Sequence, residues 1–264
     1  MSENNIQNNA SRRFDVFEGV DPIIKVRTKK MMMWFIIFAV VMLFAGITSA
    51  LIVLYGKLMW IHVSVPASLW ASVAFVAASS LSLVFGLRAL KAGKQQMATL
   101  CTAITFLLGI GFVVTQNQGW TELSNRGMGY TITQSDQGQK SYRWNTIGRV
   151  NGEYGKDFYI EWHGERVIQE NGEFYMQSDA ARSEPVTNQV MTTFNAAAAM
   201  LFVLIYVHIV HLSFGLIYLL VNTIRLATGR LNKDNWISLY TSGMYWHFMG
   251  ILWVYLFFFV FFIY

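Results

Sequence analysis

Charge is absent from most of this chain, and the gaps are long. No Asp, Glu, Lys or Arg occurs between Lys30 and Lys57, Lys57 and Arg88, Lys94 and Glu122, or Glu184 and Arg225, nor after Asp234. Each gap can hold the roughly 20 apolar residues that carry a helix across hydrocarbon. Backbone groups in lipid must bond within the segment, so such runs become helices. The reading is five spans, near 31–55, 68–87, 97–116, 196–222 and 241–263. Only 13% of the 264 residues are charged and 54% are hydrophobic, about half the charge fraction of a soluble domain.

The predicted fold class is an all-α membrane protein, a bundle of five transmembrane helices with a small β-rich extracytoplasmic insertion. It divides into an N-terminal cytoplasmic segment, 1–30, helices one to three in 31–116, the insertion in 117–194, and helices four and five in 195–264. Lys and Arg near the spans set the orientation. Arg12, Arg13, Lys25, Arg27, Lys29 and Lys30 precede the first span, Arg88, Lys91 and Lys94 lie in the second link, and Arg225, Arg230 and Lys233 in the fourth. The first link has only Lys57 and the C-terminus has none. This places the N-terminus inside, the C-terminus outside, and the chain in the inner (cytoplasmic) membrane of a bacterium. The net charge of +5 is then a membrane anchor, and no nucleic-acid partner is expected.

Val16-Phe17 and Ile23-Ile24 either dock the N-terminal segment on a neighbour or belong to a disordered leader. Ser11-Arg12-Arg13-Phe14 lies too far from the first apolar run for a twin-arginine signal, and that run is too long for a cleavable signal peptide. Cys101 is the one cysteine, so there is no disulfide framework or paired-cysteine metal motif. Gly46 and Ala50 share a helix face and permit close approach, and the second span, rich in Ala and Ser, is expected inside the bundle. Pro66 suits a first turn, and Trp120 an interfacial anchor.

The link 117–194 carries ten acidic and seven basic residues. Tyr130–Thr133, Tyr142–Asn145, Phe158–Trp162, Arg166–Gln169 and Glu173–Met176 are short β-prone runs, and Asn171-Gly172 signals a hairpin. Half of its aromatics are expected in a small core, the rest on a partner. His163 reads as a solvated loop residue rather than a metal ligand.

Titratable groups within spans are costly and informative. His208 and His211, three apart, share one face of the fourth span; His247, in Tyr245-Trp246-His247-Phe248, is placed near the inner surface. Two histidines on one helix face cannot be opposed axial ligands of one haem, and a copper or zinc site lacks a third ligand at that depth. The alternative is structural: the histidines hydrogen-bond across helices, and Tyr245, Trp246 and His247 sit at the polar boundary, on a lipid phosphate. No acid or base relay crosses the spans, which argues against a transporter acting alone.

Taken in order, these stretches resemble subunit III of the haem–copper terminal oxidases, the cytochrome c oxidase family, in its five-helix form. Tyr245-Trp246-His247-Phe248 with Trp253 resembles the opening of that family's final helix. His208-Ile-Val-His211 with Gly215 and Leu216 resembles its His-Gly-Leu-His segment. Leu108-Gly109, Phe112, Gln116 and Trp120 resemble a third pattern, and Trp34-Phe-Ile-Ile with Val41–Gly46 a fourth. The sequence departs where the family carries carboxylates: Val40, Gly119 and Gly250 stand there. The resemblance implies a non-catalytic subunit of a respiratory, proton-translocating oxidase fed by cytochrome c or quinol. Haem and copper would reside in partner subunits, subunits I and II would be among its partners, and phospholipid would fill a cleft between the first two retained helices and the last three. His208, His211, Tyr245, Trp246, His247, Trp253, Gly46 and Gln116 are then expected to meet lipid or other subunits, with no catalytic, cofactor or metal residue in this chain. The outer insertion is expected to touch a neighbouring subunit or an electron donor. The alternatives are an independent membrane metal- or haem-binding protein, or an accessory subunit of a nitric oxide reductase or quinol oxidase.

Overall fold

A computed structural model describes residues 21–263, apart from 56, 58, 129, 135–139, 145, 146, 148 and 149; Val16-Phe17 and Arg12-Arg13 lie outside the described residues. Five helices are long and apolar enough to cross a membrane. They are α1 (Pro22–Tyr55), α2 (Ala67–Lys91), α3 (Gln95–Asn125), α5 (Ala196–Ala227) and α6 (Ile237–Phe258, continued by a π-turn Phe259–Ile263); a short α4 (Thr187–Thr192) precedes α5. Helix α1 begins at Pro22, well before Met31, and α3 runs on to Asn125, so the boundary expected at 117 falls inside a helix. Charge ends a span's apolarity without ending its helix.

The best-matched pair is α2 with α3. Buried positions on α2 are Leu69, Ser72, Val76, Ser79, Leu83, Gly86 and Leu90; on α3 they are Ala98, Thr102, Thr105, Gly109, Phe112, Gln116, Gly119 and Leu123. Both alternate steps of three and four, the seam of a left-handed pair. Small residues recur along it and draw the backbones together. Helix α3 also packs on α5, and α5 and α2 pack on α6, which makes a four-helix core; α1 leans on α6 and α5 from outside. As expected, α2 joins the bundle, but Trp70, Leu81 and Phe85 on its far face are exposed.

One end of the bundle carries Lys29, Lys30, Arg88, Lys91 and Arg225 and is called the basic end; the other carries the strands. Strands β1 (Trp60–Val63), β4 (Phe158–Trp162), β5 (Glu165–Glu170) and β6 (Glu173–Met176) form an antiparallel sheet in the order β1-β4-β5-β6, while β2 (Tyr130–Gln134) and β3 (Lys140–Trp144) pair separately. The Asn171-Gly172 hairpin is present, with φ of 53° and 84°, the two positive values of a type I′ turn. His163-Gly164 makes a second such turn, with φ of 52° and 78°; His163 is exposed there and stacks on Trp162.

Strand β1 was not anticipated. Trp60-Ile61-His62-Val63 sits in the first link and pairs with Glu161 through Phe158, so the sheet is stitched from two links far apart in sequence. Trp60, Ile61, Ile160, Val167 and Phe174 are its buried residues, and Val190 of α4 is buried as well. The Tyr154 ring packs edge-on to Phe158 and Phe174, and its hydroxyl donates to the Val167 carbonyl; burial pushes that hydroxyl's pKa above its usual value. Phe158, Tyr159, Trp162 and Tyr175 are only half-buried.

Candidate binding site

Polar side chains hold the four-helix core at fixed points. Ser72 Oγ accepts from Gln116 Nε2 at 2.7 Å and from Trp253 Nε1 at 3.1 Å, joining α2, α3 and α6. One turn pair further along, Ser79 Oγ accepts from Trp246 Nε1 at 3.0 Å. Helices α5 and α6 are tied by Tyr245 Oη donating to the His211 carbonyl at 3.0 Å, by Tyr218 with Thr241 at 2.8 Å, and by Ser238 with Asn222 at 2.8 Å. In hydrocarbon such bonds are worth about 0.6–2 kcal/mol each.

Several expectations change here. Among the described residues, the side chains of His208 and His211 do not hydrogen-bond across helices. His208 is 1% exposed, tilted against Trp253 at 5.5 Å and edge-on to Phe44, and neither ring nitrogen has a partner among the described residues. His211 Nδ1 donates to Val207 O, one turn back on its own helix, at 2.8 Å. The aromatic neighbours take the ring faces and offer no acceptor. Nor do Tyr245 and Trp246 lie at a polar boundary: both are buried, and their polar atoms serve the interhelical bonds above. His247 is half-buried, two turns from Tyr240 and about 10 Å along the helix. Trp120, the expected interfacial anchor, is half-buried edge-on to Phe202 of α5 at 6.3 Å. Gly46 and Ala50 are exposed, and nothing lies within 4 Å of where a Cβ on Gly46 would sit, so the chain makes no close helix contact there.

The structure also accounts for two of the departures. A Cβ on Gly119 would lie 2.4 Å from Leu69 Cδ2, and one on Gly250 would lie 2.7 Å from Val76 Cγ1. Each glycine is where a neighbouring helix crosses, and a side chain at either requires Leu69 or Val76 to shift. Val40 is buried beside the groove described next.

That groove, of about 660 Å³, runs between α1 and the α5–α6 pair. Met32, Met33, Ile36 and Val40 form one wall, Phe214 and Tyr218 the other, with Lys29 at its basic end and His211 and Tyr245 in its floor. Its size is that of a small-ligand site, and its walls suit an acyl chain. It does not separate α1 and α2 from the remaining helices, as the resemblance implied, because α2 belongs with α3. His208, His211 and His247 are not brought to one point, and among the described residues no three His, Cys, Asp or Glu side chains form a metal-binding group.

Of the eight positions singled out in the sequence, the structure brings His211 and Tyr245 together in the groove, and Gln116 and Trp253 together on Ser72. His208 lies beneath Trp253, Trp246 faces α2, His247 lines a second cavity, and Gly46 stands apart. The sequence reading overlooked Ser72 and Ser79; their seven-residue spacing on a seam of leucines and valines was the available signal.

No family model matches the chain. Curated relatives do match part of it. A protein of Staphylococcus saprophyticus named "Probable quinol oxidase subunit 3" is 36% identical over 56 residues, 21% of this chain and 28% of the relative. "Cytochrome c oxidase subunit 3" of Bacillus sp. strain PS3 is 37% identical over 65 residues, 25% of this chain and 31% of the relative. These matches support the oxidase subunit 3 family. The matched stretch spans about a third of the length of those relatives, and five apolar helices make the chain an integral membrane protein.

Proposed function

We propose that the chain is the subunit 3 accessory component of a haem–copper terminal oxidase, bracing the catalytic subunit in the membrane. The observation that carries this reading is the match to oxidase subunit 3 proteins, together with a core in which every singled-out residue but Gly46 and His247 packs against a neighbouring helix or lines the groove. Haem and copper are carried by the partner subunits. The residues of this chain do not suit a haem: His208 and His211 project from one helix, and His208 is buried against Trp253 and Phe44. The basic end lies on the cytoplasmic side of a bacterial inner membrane, as the lysine and arginine distribution favours, and the sheet on the outside. A phospholipid occupies the groove between α1 and α5–α6, its acyl chain against Met33, Ile36 and Phe214 and its phosphate at Lys29.

Gentle detergent extraction through a tag on this chain, followed by identification of co-purifying subunits, tests the assignment. The expected result is the catalytic and second subunits of one oxidase in equal amounts. Recovery of the chain alone, or with unrelated proteins, would refute it. The insertion is assigned to contact with a neighbouring subunit or electron donor; deleting 125–185 should then weaken assembly or donor binding, and unchanged values for both would remove that role.

A further inference from the structure

A second cavity, of about 370 Å³, opens at the basic end between α2 and α6. It shares no residue with the α1 groove. Its mouth holds Arg88 and Lys91, its walls include Leu87 and Met244, and it ends at His247, with Tyr240 on its side. The cations at this mouth are held in an unusual way. Lys91 Nζ lies 4.2 Å from the centre of the Trp236 ring, and Lys30 Nζ, arriving from α1, lies 4.9 Å from the centre of the Tyr240 ring. Trp236 and Tyr240 themselves pack edge to face at 5.4 Å. Two cations, Lys30 from α1 and Lys91 from α2, thus converge on one aromatic pair with Arg88 beside Lys91 in the cavity lining, and among the described residues none of the three forms an ion pair with a carboxylate.

Like charges gathered on an aromatic platform at the end of a membrane bundle repel one another unless an anion lies among them. Cation–π contact alone offsets only part of this. A phosphate is the matching group: arginine grips it with two parallel N–H donors, and lysine neutralises it as a point charge. Behind the mouth the cavity turns apolar, and from Lys91 up to Leu83 it follows about 12 Å of helix, enough to shelter the upper part of an acyl chain. Free phosphate would use the mouth alone; a lipid uses both the mouth and the apolar depth.

We infer that the α2–α6 cavity binds an anionic phospholipid from the leaflet at the basic end, its phosphate held by Arg88, Lys91 and Lys30 and one acyl chain lying against Leu87 and Met244. This inference stands independently of the oxidase assignment, since it concerns the lone chain.

The test is native mass spectrometry of the full chain in detergent, titrated with dioleoyl phosphatidylglycerol or dioleoyl phosphatidylcholine. The wild-type chain should retain phosphatidylglycerol in preference to phosphatidylcholine. The double variant Arg88→Gln, Lys91→Gln should lose about tenfold or more of its phosphatidylglycerol retention. The pair Arg230→Gln, Lys233→Gln, at the same end but outside the cavity, should change it less than twofold. Met244→Trp, which fills the cavity and leaves every charge in place, should also lower retention, and it keeps the test open if the double variant does not fold. Equal losses from the two charge pairs would reduce the effect to general surface attraction and overturn the proposal. So would unchanged retention in Met244→Trp, or competition by glycerol phosphate as effective as by the lipid.

Discussion

Helices α1 and α6 are similarly apolar, yet they hold their places by different means. Helix α6 buries Ser238, Thr241, Ser242, Tyr245, Trp246, Met249, Gly250 and Trp253, and its polar atoms reach α2 and α5. Helix α1 exposes Trp34, Phe35, Phe38, Met42 and Val53, and its Thr48 hydroxyl returns to its own Phe44 carbonyl. It is fastened near its ends, by Lys30 on the Tyr240 ring at one and by Tyr55 donating to Glu161 at 2.6 Å at the other. Between them lies the lipid-sized groove. Apolarity places both helices in the membrane; small and polar residues decide which of them is locked within this chain and which is left to face something else.

The largest contrast comes from steric change. Gly119→Glu and Gly250→Asp restore the family's carboxylates where Leu69 and Val76 already stand, and each should cost more than about 3 kcal/mol, seen as loss of monodisperse protein in detergent. Gly46→Leu on α1 should leave the lone chain intact. A destabilised Gly46→Leu would break the contrast.

Next comes Ser72→Ala, which removes one hydroxyl and orphans both Gln116 Nε2 and Trp253 Nε1. The expected loss is about 2–4 kcal/mol by thermal unfolding in detergent, whereas Thr48→Ala on α1 should shift stability by less than about 0.5 kcal/mol. At the sheet end, Glu161 accepts from Tyr55 and lies 3.0 Å from His62 Nε2. Glu161→Gln should cost about 1 kcal/mol and make the insertion more susceptible to limited proteolysis, without loosening the four-helix core.

His208→Phe should be nearly neutral, within about 1 kcal/mol, because its nitrogens bond to nothing among the described residues while its ring packs against Trp253 and Phe44. A large loss would show that those nitrogens have a partner in the working protein. The smallest effect belongs to the exposed loop after β6. There the Glu184 N–H, with Ser183, holds the Asp179 carboxyl below its usual pKa. A depressed folded pKa contributes stability above the unfolded value, near pH 3.9, and loses it as pH falls through the folded value. Protection of the Glu184 amide against exchange, relative to its intrinsic rate, should therefore fall only in acid, and Asp179→Asn should remove that dependence.

The sequence made the five spans legible because the signal, long runs without charge, is set by the membrane itself. The Asn171-Gly172 hairpin was legible because its turn demands two positive φ values. Strand β1 was not, since four residues in a short link carry no periodicity and their partner lies a hundred residues away. The candidate site was half-legible. His211, Tyr245, Gln116 and Trp253 were singled out in the sequence, but what they touch depends on helix rotation, which composition does not encode. Ser72 and Ser79 looked like ordinary small residues until the indoles opposite them were in place.

The account's central claim is that this chain braces an oxidase and carries no redox centre itself. The most direct measurement is an absorption spectrum taken before and after the tagged complex is dissociated and this chain is re-isolated. The account predicts a haem band in the complex that leaves with the partner subunits, and a colourless chain. A band that stays with this chain, in stoichiometric amount, would contradict it.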